Sequence, residues 1–131
     1  MKLPKLDSLA KGEVGEAYVL YKLLRWDEQA LIVTQNNPYD IVVLKDKPIK
    51  IQVKASSKTK GRSTLFNVRR GGKHDRYKKG EYDVLALFQL DKERVFFKPF
   101  VKLRQVSVNT DLFKRKNEYA SWLDTLDKLD I

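Results

Sequence analysis

Pro38-Tyr39-Asp40-Ile41-Val42-Val43-Leu44 and, after a gap of eleven residues from Asp40, Gln52-Val53-Lys54 within Ile49-Lys50-Ile51-Gln52-Val53-Lys54-Ala55 form the stretch whose reading decides the fold. Each half is a short β-branched run, and Lys45-Asp46-Lys47-Pro48 between them carries turn chemistry, so the segment predicts a strand hairpin. Side chains of a strand alternate between its faces, so Gln52 and Lys54 share one. A carboxylate at the mouth of one strand, with an amide and an ammonium on the next, suits phosphodiester hydrolysis. An oxygen-rich pocket holding Mg²⁺ neutralises phosphate charge, acidifies a water and stabilises the leaving oxygen. There Asp40 is the hard anionic ligand, and Gln52 offers its amide oxygen as a neutral ligand or water-orienting acceptor. Lys54 aims its ammonium at the attacking water or at the transition-state phosphate. The plain alternative is a hairpin whose Asp caps a turn while Gln52 and Lys54 face solvent.

Upstream, Lys11-Gly12-Glu13-Val14-Gly15-Glu16-Ala17-Tyr18-Val19-Leu20-Tyr21-Lys22-Leu23-Leu24 predicts an amphipathic helix over about 8–26. Its apolar side is read at Val14, Ala17, Tyr18, Tyr21 and Leu24 with Leu20 alongside, and Ser8 as N-cap. Two glycines in a helix cost roughly 0.5 to 1 kcal/mol each relative to alanine. Their presence points to close packing or close backbone approach. Glu13 and Glu16, three apart, lie on adjacent parts of one face, and one of them can reach over the sheet edge to complete a carboxylate cluster.

Helix, hairpin and Gln-x-Lys in this order resemble the PD-(D/E)xK nuclease superfamily, in the variant where Gln replaces the second acidic residue. The chain is most similar to the small group I intron-encoded homing endonucleases of that superfamily, and next to the archaeal-type Holliday-junction resolvases. The resemblance rests on Lys11-Gly12-Glu13-Val14-Gly15-Glu16, on Pro38-Tyr39-Asp40-Ile41-Val42-Val43, on Ile49-Lys50-Ile51-Gln52-Val53-Lys54-Ala55-Ser56 and, more weakly, on residues 77–88. It implies an α/β fold, a restriction-endonuclease-like core of mixed β-sheet flanked by an N-terminal and a C-terminal helix. It also implies a Mg²⁺-dependent DNA endonuclease, with Mn²⁺ as a substitute, working as a homo-oligomer (dimer or tetramer) on double-stranded DNA. Residue by residue, it makes Glu16 the helix-borne metal or water ligand, with Glu13 in reserve, Asp40 the central metal-binding acid and Lys54 the catalytic lysine. Gln52 stands where Asp or Glu is usual. The implied catalytic set is Glu16, Asp40, Gln52 and Lys54, and the metal set Asp40, Glu16 and Gln52. Tyr39 separates Pro38 from Asp40, a small departure, since Pro only shapes the approach to the strand. Gln52 removes a negative charge and favours one metal ion over two.

Composition agrees with this reading. The 131 residues suit a single nuclease domain over residues 1–131. Twenty-seven Lys and Arg against seventeen Asp and Glu give a net charge of +10, which points to a polyanionic partner. No apolar run approaches the roughly 18 residues of a membrane span and no signal peptide opens the chain, so no membrane partner and an intracellular location, cytoplasm or nucleoid, are expected. The absence of Cys excludes zinc fingers and thiol catalysis, and a single His, His74, argues against a His-metal nuclease.

Elsewhere the pattern predicts a strand over 31–35, a solvated turn over 56–62 and a strand over 63–68 with Leu65 and Asn67 on one side, Phe66 and Val68 on the other. Residues 69–79 carry six basic side chains opposed only by Asp75. Arg62, Arg69, Arg70, Lys73, His74, Arg76 and Lys78 are the candidate DNA contacts. The apolar run over 82–90 predicts a central strand covered on both faces, and 95–100 its hairpin partner. The tail over 111–129, with Thr110 or Asn109 as cap, predicts a helix whose aromatic stripe is core or a dimer seam rather than a ligand box. The superfamily usually places a helix between its third and fourth strands; here only a helical turn around 74–79 is available. Beside sequence-specific cleavage stand junction resolution and, from a different class, a catalytically silent nucleic-acid-binding module, for which Gln52 argues.

Overall fold

The computed structural model describes residues 2–34, 37–70 and 76–129. Helix α1 (Ser8–Arg25) leads into β1 (Ala30–Ile32), β2 (Ile41–Val43) and β3 (Ile49–Ser56), followed by β4 (Thr59–Lys60), β5 (Ser63–Asn67), β6 (Val84–Gln89), β7 (Arg94–Pro99) and β8 (Gln105–Asn109). A 3₁₀ turn (Thr110–Leu112) and helix α2 (Arg115–Lys128) close the chain. Five strands form one mixed sheet in the order β1-β2-β3-β6-β7, in which only β3 and β6 run parallel. The other three form an antiparallel sheet in the order β4-β5-β8. This is the α/β architecture with mixed sheet and terminal helices that the sequence implies.

Alternation explains the layers. Ile49, Ile51 and Val53 of β3, with Val84 and Ala86 of β6, face Val19 and Leu23 of α1 and Trp122 of α2. The opposite face of β6, Leu85 and Leu87, meets Phe66, Val106 and Val108 of the small sheet, together with Phe113. Both helices therefore cover one face of the large sheet and the small sheet covers the other. Every residue of β6 is buried, as a doubly covered central strand requires.

Helix α1 forms where expected, but its cap and its buried stripe differ. The N-cap is Asp7, whose Oδ1 accepts the Ala10 N–H at 2.8 Å, rather than Ser8. Gly15, Val19 and Leu23 are buried, whereas Val14, Tyr21 and Leu24 are exposed. The helix is apolar on several sides, so periodicity left its phase open, and contact with the sheet selects the side on which glycine lets β3 approach. A Cβ added to Gly15 would sit 3.4 Å from both Ala55 Cβ and Val53 Cγ1, while one added to Gly12 would meet nothing within 4 Å. Close packing thus holds for the second glycine and not for the first.

Other boundaries move for identifiable reasons. The strand expected over 31–35 is the short β1, Ala30–Ile32, and Gln35 lies outside the described residues. Tail residues break into the 3₁₀ turn, capped by the Asn109 side chain accepting from the Asp111 N–H, and then α2, because buried Phe113 is pulled into the second core. Of the aromatic stripe, Trp122 is core and Tyr119 is exposed. The turn expected over 56–62 contains β4, joined to β5 at Gly61, whose φ of 61° suits glycine. Among the described residues no helix lies between β3 and β6; residues 76–80 make a bend and a turn, and the expected helical turn otherwise falls on 74 and 75, outside the described residues. Among the described residues no helix is long and apolar enough to cross a membrane.

Candidate active site

The hairpin places its polar residues by backbone pairing. Asp40 stands immediately before β2, its N–H donating to Ile51 O and its carbonyl accepting from the Val33 N–H, each at 2.8 Å. Its carboxylate is thereby turned onto β3. Oδ2 accepts the Val53 N–H at 2.8 Å and the Gln52 Nε2–H at 2.9 Å, leaving Oδ1 without a hydrogen bond among the described residues. Gln52 is buried and also donates to Val53 O at 3.2 Å. Lys54, two residues on along the same strand, donates to Arg69 O at 3.2 Å, its ammonium 5.5 Å from the centre of the Tyr77 ring.

Glu16 arrives from α1. It follows Gly15, at which the helix packs closely on Val53 and Ala55 of β3, and its carboxylate feels the charge of Asp40. Glu16, Asp40, Gln52 and Lys54 line one open cavity of about 480 Å³, with Lys11 and Lys58 at its margin. Glu13 is exposed and is not part of that lining. Gln52 and Lys54 do lie on one face, as alternation requires, but neither simply faces solvent.

Burial dominates the electrostatics, and the charge of Asp40 acts on its neighbours. Burial, then the charges of Asp40 and Glu13, pushes Glu16 up to about 7. Burial also raises Asp40, opposed by the Val53 N–H and by the Lys54 charge. Burial lowers Lys54 while Asp40 pulls it back up. Tyr77 is pushed up to about 12, first by burial and then by Asp40, which places its ring within the field of the same carboxylate.

Can these groups hold a divalent ion? Among the described residues no cluster of three or more His, Cys, Asp or Glu forms a metal site. What is present is an all-oxygen set of two carboxylates, Asp40 offering a free Oδ1 and Glu16 with no hydrogen bond among the described residues, beside the Gln52 amide. Two carboxylates whose proton affinity burial raises, Glu16 further through the Asp40 charge, are relieved by a cation, and oxygen donors suit a hard one such as Mg²⁺, which retains several waters. The residues fit a single ion held by Asp40 and Glu16. Gln52 serves through Nε2 as a donor that fixes Asp40, and its Oε1 carries no hydrogen bond among the described residues.

The candidate DNA contacts divide. Arg62, Arg69, Arg76 and Lys78 are exposed, and Arg70 is paired through Nε with Glu81 at 2.9 Å. Lys73 and His74 lie outside the described residues. Reading for single charge runs missed Lys58, at the margin of the cavity, and Arg104 and Gln105, which line an adjoining one. The signal for Gln105, and for Arg104 just before it, was the period-two alternation of Gln105-Val106-Ser107-Val108-Asn109, which marks β8; Lys58 had no such signal.

A family model described as PD-(D/E)XK endonuclease matches residues 6–122 of the chain. A solved bacterial homing endonuclease, I-Ssp6803I, is similar in fold, with a TM-score of 0.70 at 17% sequence identity, over 93% of this chain and 95% of that one. Comparison with curated proteins finds no match.

Proposed function

The chain belongs to the PD-(D/E)XK endonuclease family, and from that premise we propose that it is a divalent-metal-dependent, sequence-specific endonuclease of the homing type, cutting double-stranded DNA. The observation that carries this reading is the meeting of Glu16 from α1, Asp40 from the approach to β2, and Gln52 and Lys54 from β3 around one cavity. Its supports are the family match, the net charge of +10 and the likeness in fold to a homing endonuclease.

In this reading Asp40 and Glu16 hold one Mg²⁺, for which Mn²⁺ substitutes. When bound, the ion supplies neutralisation of phosphate charge and a water acidic enough to attack near neutral pH. Gln52 keeps Asp40 in one orientation, leaving Oδ1 toward the cavity. Lys54, its proton affinity lowered by burial, sits where an ammonium steadies charge building on the phosphate or orients the attacking water. Lys11 and Lys58 draw the DNA backbone to the margin. We further propose one nuclease domain and a homo-oligomer, dimer or tetramer, so that two sites address two strands; β1 is an edge strand with Leu31 and Ile32 exposed, which leaves room for such a contact. An intracellular place follows from the DNA substrate.

One observation favours a second reading, a silent DNA-binding module: among the described residues the cavity holds two carboxylates, and Gln52 replaces an acid. Incubating the protein with linear duplex DNA and with four-way junctions, with Mg²⁺, Mn²⁺ or no metal, separates these outcomes. Metal-dependent cutting of duplex is expected, and Asp40→Ala or Lys54→Ala should bind DNA without cutting it. Preferential cutting of junctions would indicate a resolvase, and binding without cutting under any metal a silent module. Cleavage by the variants at the wild-type rate would sink the site assignment.

A further inference from the structure

The cavity that adjoins the candidate active site has a chemistry of its own. It measures about 460 Å³ and shares Ala55, Ser56 and Lys58 with the first cavity, so the two are continuous along the end of β3. The rest of its wall comes from the outward side of the small sheet: Leu65 and Asn67 of β5, Gln105 at the start of β8, and Arg69 and Arg104 beyond the strand ends. Among the described residues no carboxylate lines it.

Cross-strand register shows that this wall is part of a larger surface. Ser63 pairs with Asn109, Leu65 with Ser107 and Asn67 with Gln105, while the intervening Thr64, Phe66, Val106 and Val108 are buried. Alternation therefore sends the first set to the open face and the second to the core. Apart from Leu65 at its centre, the open face is a ladder of amides and hydroxyls. Asn67 spends its Oδ1 on the Arg69 N–H, which leaves its amide N–H groups without a partner among the described residues. Gln105 and Ser107 are exposed and make no side-chain hydrogen bond among the described residues. Cations frame the ladder: Lys60, opposite Ser63, and Arg62 in the hairpin turn. Residues 55–70 and 98–110, which contain the whole sheet, include no Asp or Glu at all.

We infer that the outward face of β5 and β8 is the base-reading surface for the major groove of duplex DNA, with Gln105 and Asn67 as specificity-determining residues and Lys60 and Arg62 as phosphate contacts. This rests on the endonuclease reading and adds to it where sequence is read. The major groove admits a two-stranded β-ribbon, and side-chain amides match base edges there, a Gln or Asn pairing bidentately with adenine. Cations at the margin position the duplex without reading it. A surface evolved only for solubility would mix signs; this one excludes acids and retains unsatisfied donors. The Lys54 ammonium donates to the carbonyl of Arg69, so the reading face and the candidate catalytic lysine are joined through one short segment. A duplex lying on the ladder thus runs on into the first cavity.

The test is cleavage of a randomised duplex library with Mg²⁺ by the wild-type chain and by Gln105→Ala, Asn67→Ala and Arg62→Ala, with the cut sequences counted. Gln105 is exposed, so its replacement leaves the fold intact, and it guards against any loop shift caused by losing the Asn67 bond to Arg69. Gln105→Ala and Asn67→Ala should each keep cutting but lose about tenfold or more discrimination at one or two base pairs. Arg62→Ala should weaken cutting of all sequences alike and lower the salt dependence by about one unit of slope. Unchanged base preference in both amide variants overturns this inference and leaves the nuclease reading standing. Wild-type cutting with no sequence preference overturns it together with the sequence-specific part of the proposed function, and leaves the nuclease activity alone standing. A wild-type chain that neither binds nor cuts duplex overturns the nuclease reading first, before any substitution is made.

Discussion

Gln52 donates its Nε2–H to Oδ2 of Asp40 at 2.9 Å, so the residue standing where an acid is usual acts on the neighbouring carboxylate as a donor. The same oxygen takes the Val53 N–H, and Asp40 is thereby locked in one rotamer with its other oxygen free. Replacing the amide by a carboxylate removes one of these bonds and sets like charges together.

Gln52→Glu should therefore lower the stability of the metal-free protein by about 1 to 3 kcal/mol at neutral pH, or roughly 3 to 12 °C in Tm. Divalent ion should recover the loss, because a third carboxylate strengthens the cation site. Thermal melts with and without Mg²⁺ check both parts, and the metal-induced rise in Tm should exceed that of the wild type. Equal melts for the two proteins would mean that the Gln52 to Asp40 bond contributes nothing.

Glu16 gives a pH dependence whose sign follows from its raised pKa of about 7 against an ordinary 4.5. Between those values the folded metal-free protein keeps a proton that the unfolded chain has lost, so stability falls as pH rises through the window and stays lower above it. Glu16 is half exposed, and solvent screening reduces the effect to the order of 1 kcal/mol. Glu16→Gln should flatten the fall between pH 5 and 8, raise metal-free stability at pH 8 and abolish cleavage. Chemical denaturation across that pH range measures the first two and a DNA cutting assay the third.

The two glycines of α1 should respond in opposite ways. Gly12 has open space where a Cβ would go, so Gly12→Ala gains helix propensity and should stabilise by roughly 0.5 to 1 kcal/mol. At Gly15 a Cβ falls 3.4 Å from Ala55 and Val53, and the larger Gly15→Val must lift the helix from β3. That variant should lose about 1 to 3 kcal/mol and most of its cleavage, since Glu16 moves with the helix. Denaturation midpoints read the stabilities, and activity per folded molecule reads the displacement.

What the sequence made legible follows from how local each signal is. Asp40, Gln52 and Lys54 were readable because a two-residue period and a turn fix their relation within one hairpin. That Glu16, not Glu13, reaches the cavity was settled by the phase of α1 against the sheet, and an apolar pattern on several sides hides that phase. Strand β8 was missed although its alternation is regular, because its partner β5 lies about forty residues away and its inner residues, Val106 and Val108, are few. The donor role of Gln52 toward Asp40 was hidden for another reason: an amide can present oxygen or nitrogen, and only the placement of the Val53 peptide beside the same carboxylate decides which.

Away from the site, α2 protects the edge of the large sheet. β7 is an edge strand, and its outward N–H groups at Val95 and Phe97 are taken by Glu118 Oε2 and Ser121 Oγ, each at 3.0 Å. Glu118 is buried, also accepts the Tyr18 hydroxyl at 2.7 Å, and lies 3.2 Å from the Lys22 ammonium, so it ties both helices to the strand. Glu118→Ala leaves a buried N–H, a hydroxyl and a lysine without their acceptor and should cost about 3 to 5 kcal/mol. Glu118→Gln keeps an acceptor and should cost less, and Ser121→Ala, which frees one N–H while leaving the ion pair, about 1 to 3 kcal/mol. Urea denaturation of the three variants tests the order. Because Glu118 lies outside the cavity that holds Asp40, cleavage per folded molecule should stay at the wild-type level in all three, and a loss of cleavage without a loss of stability would place this network in the chemistry instead.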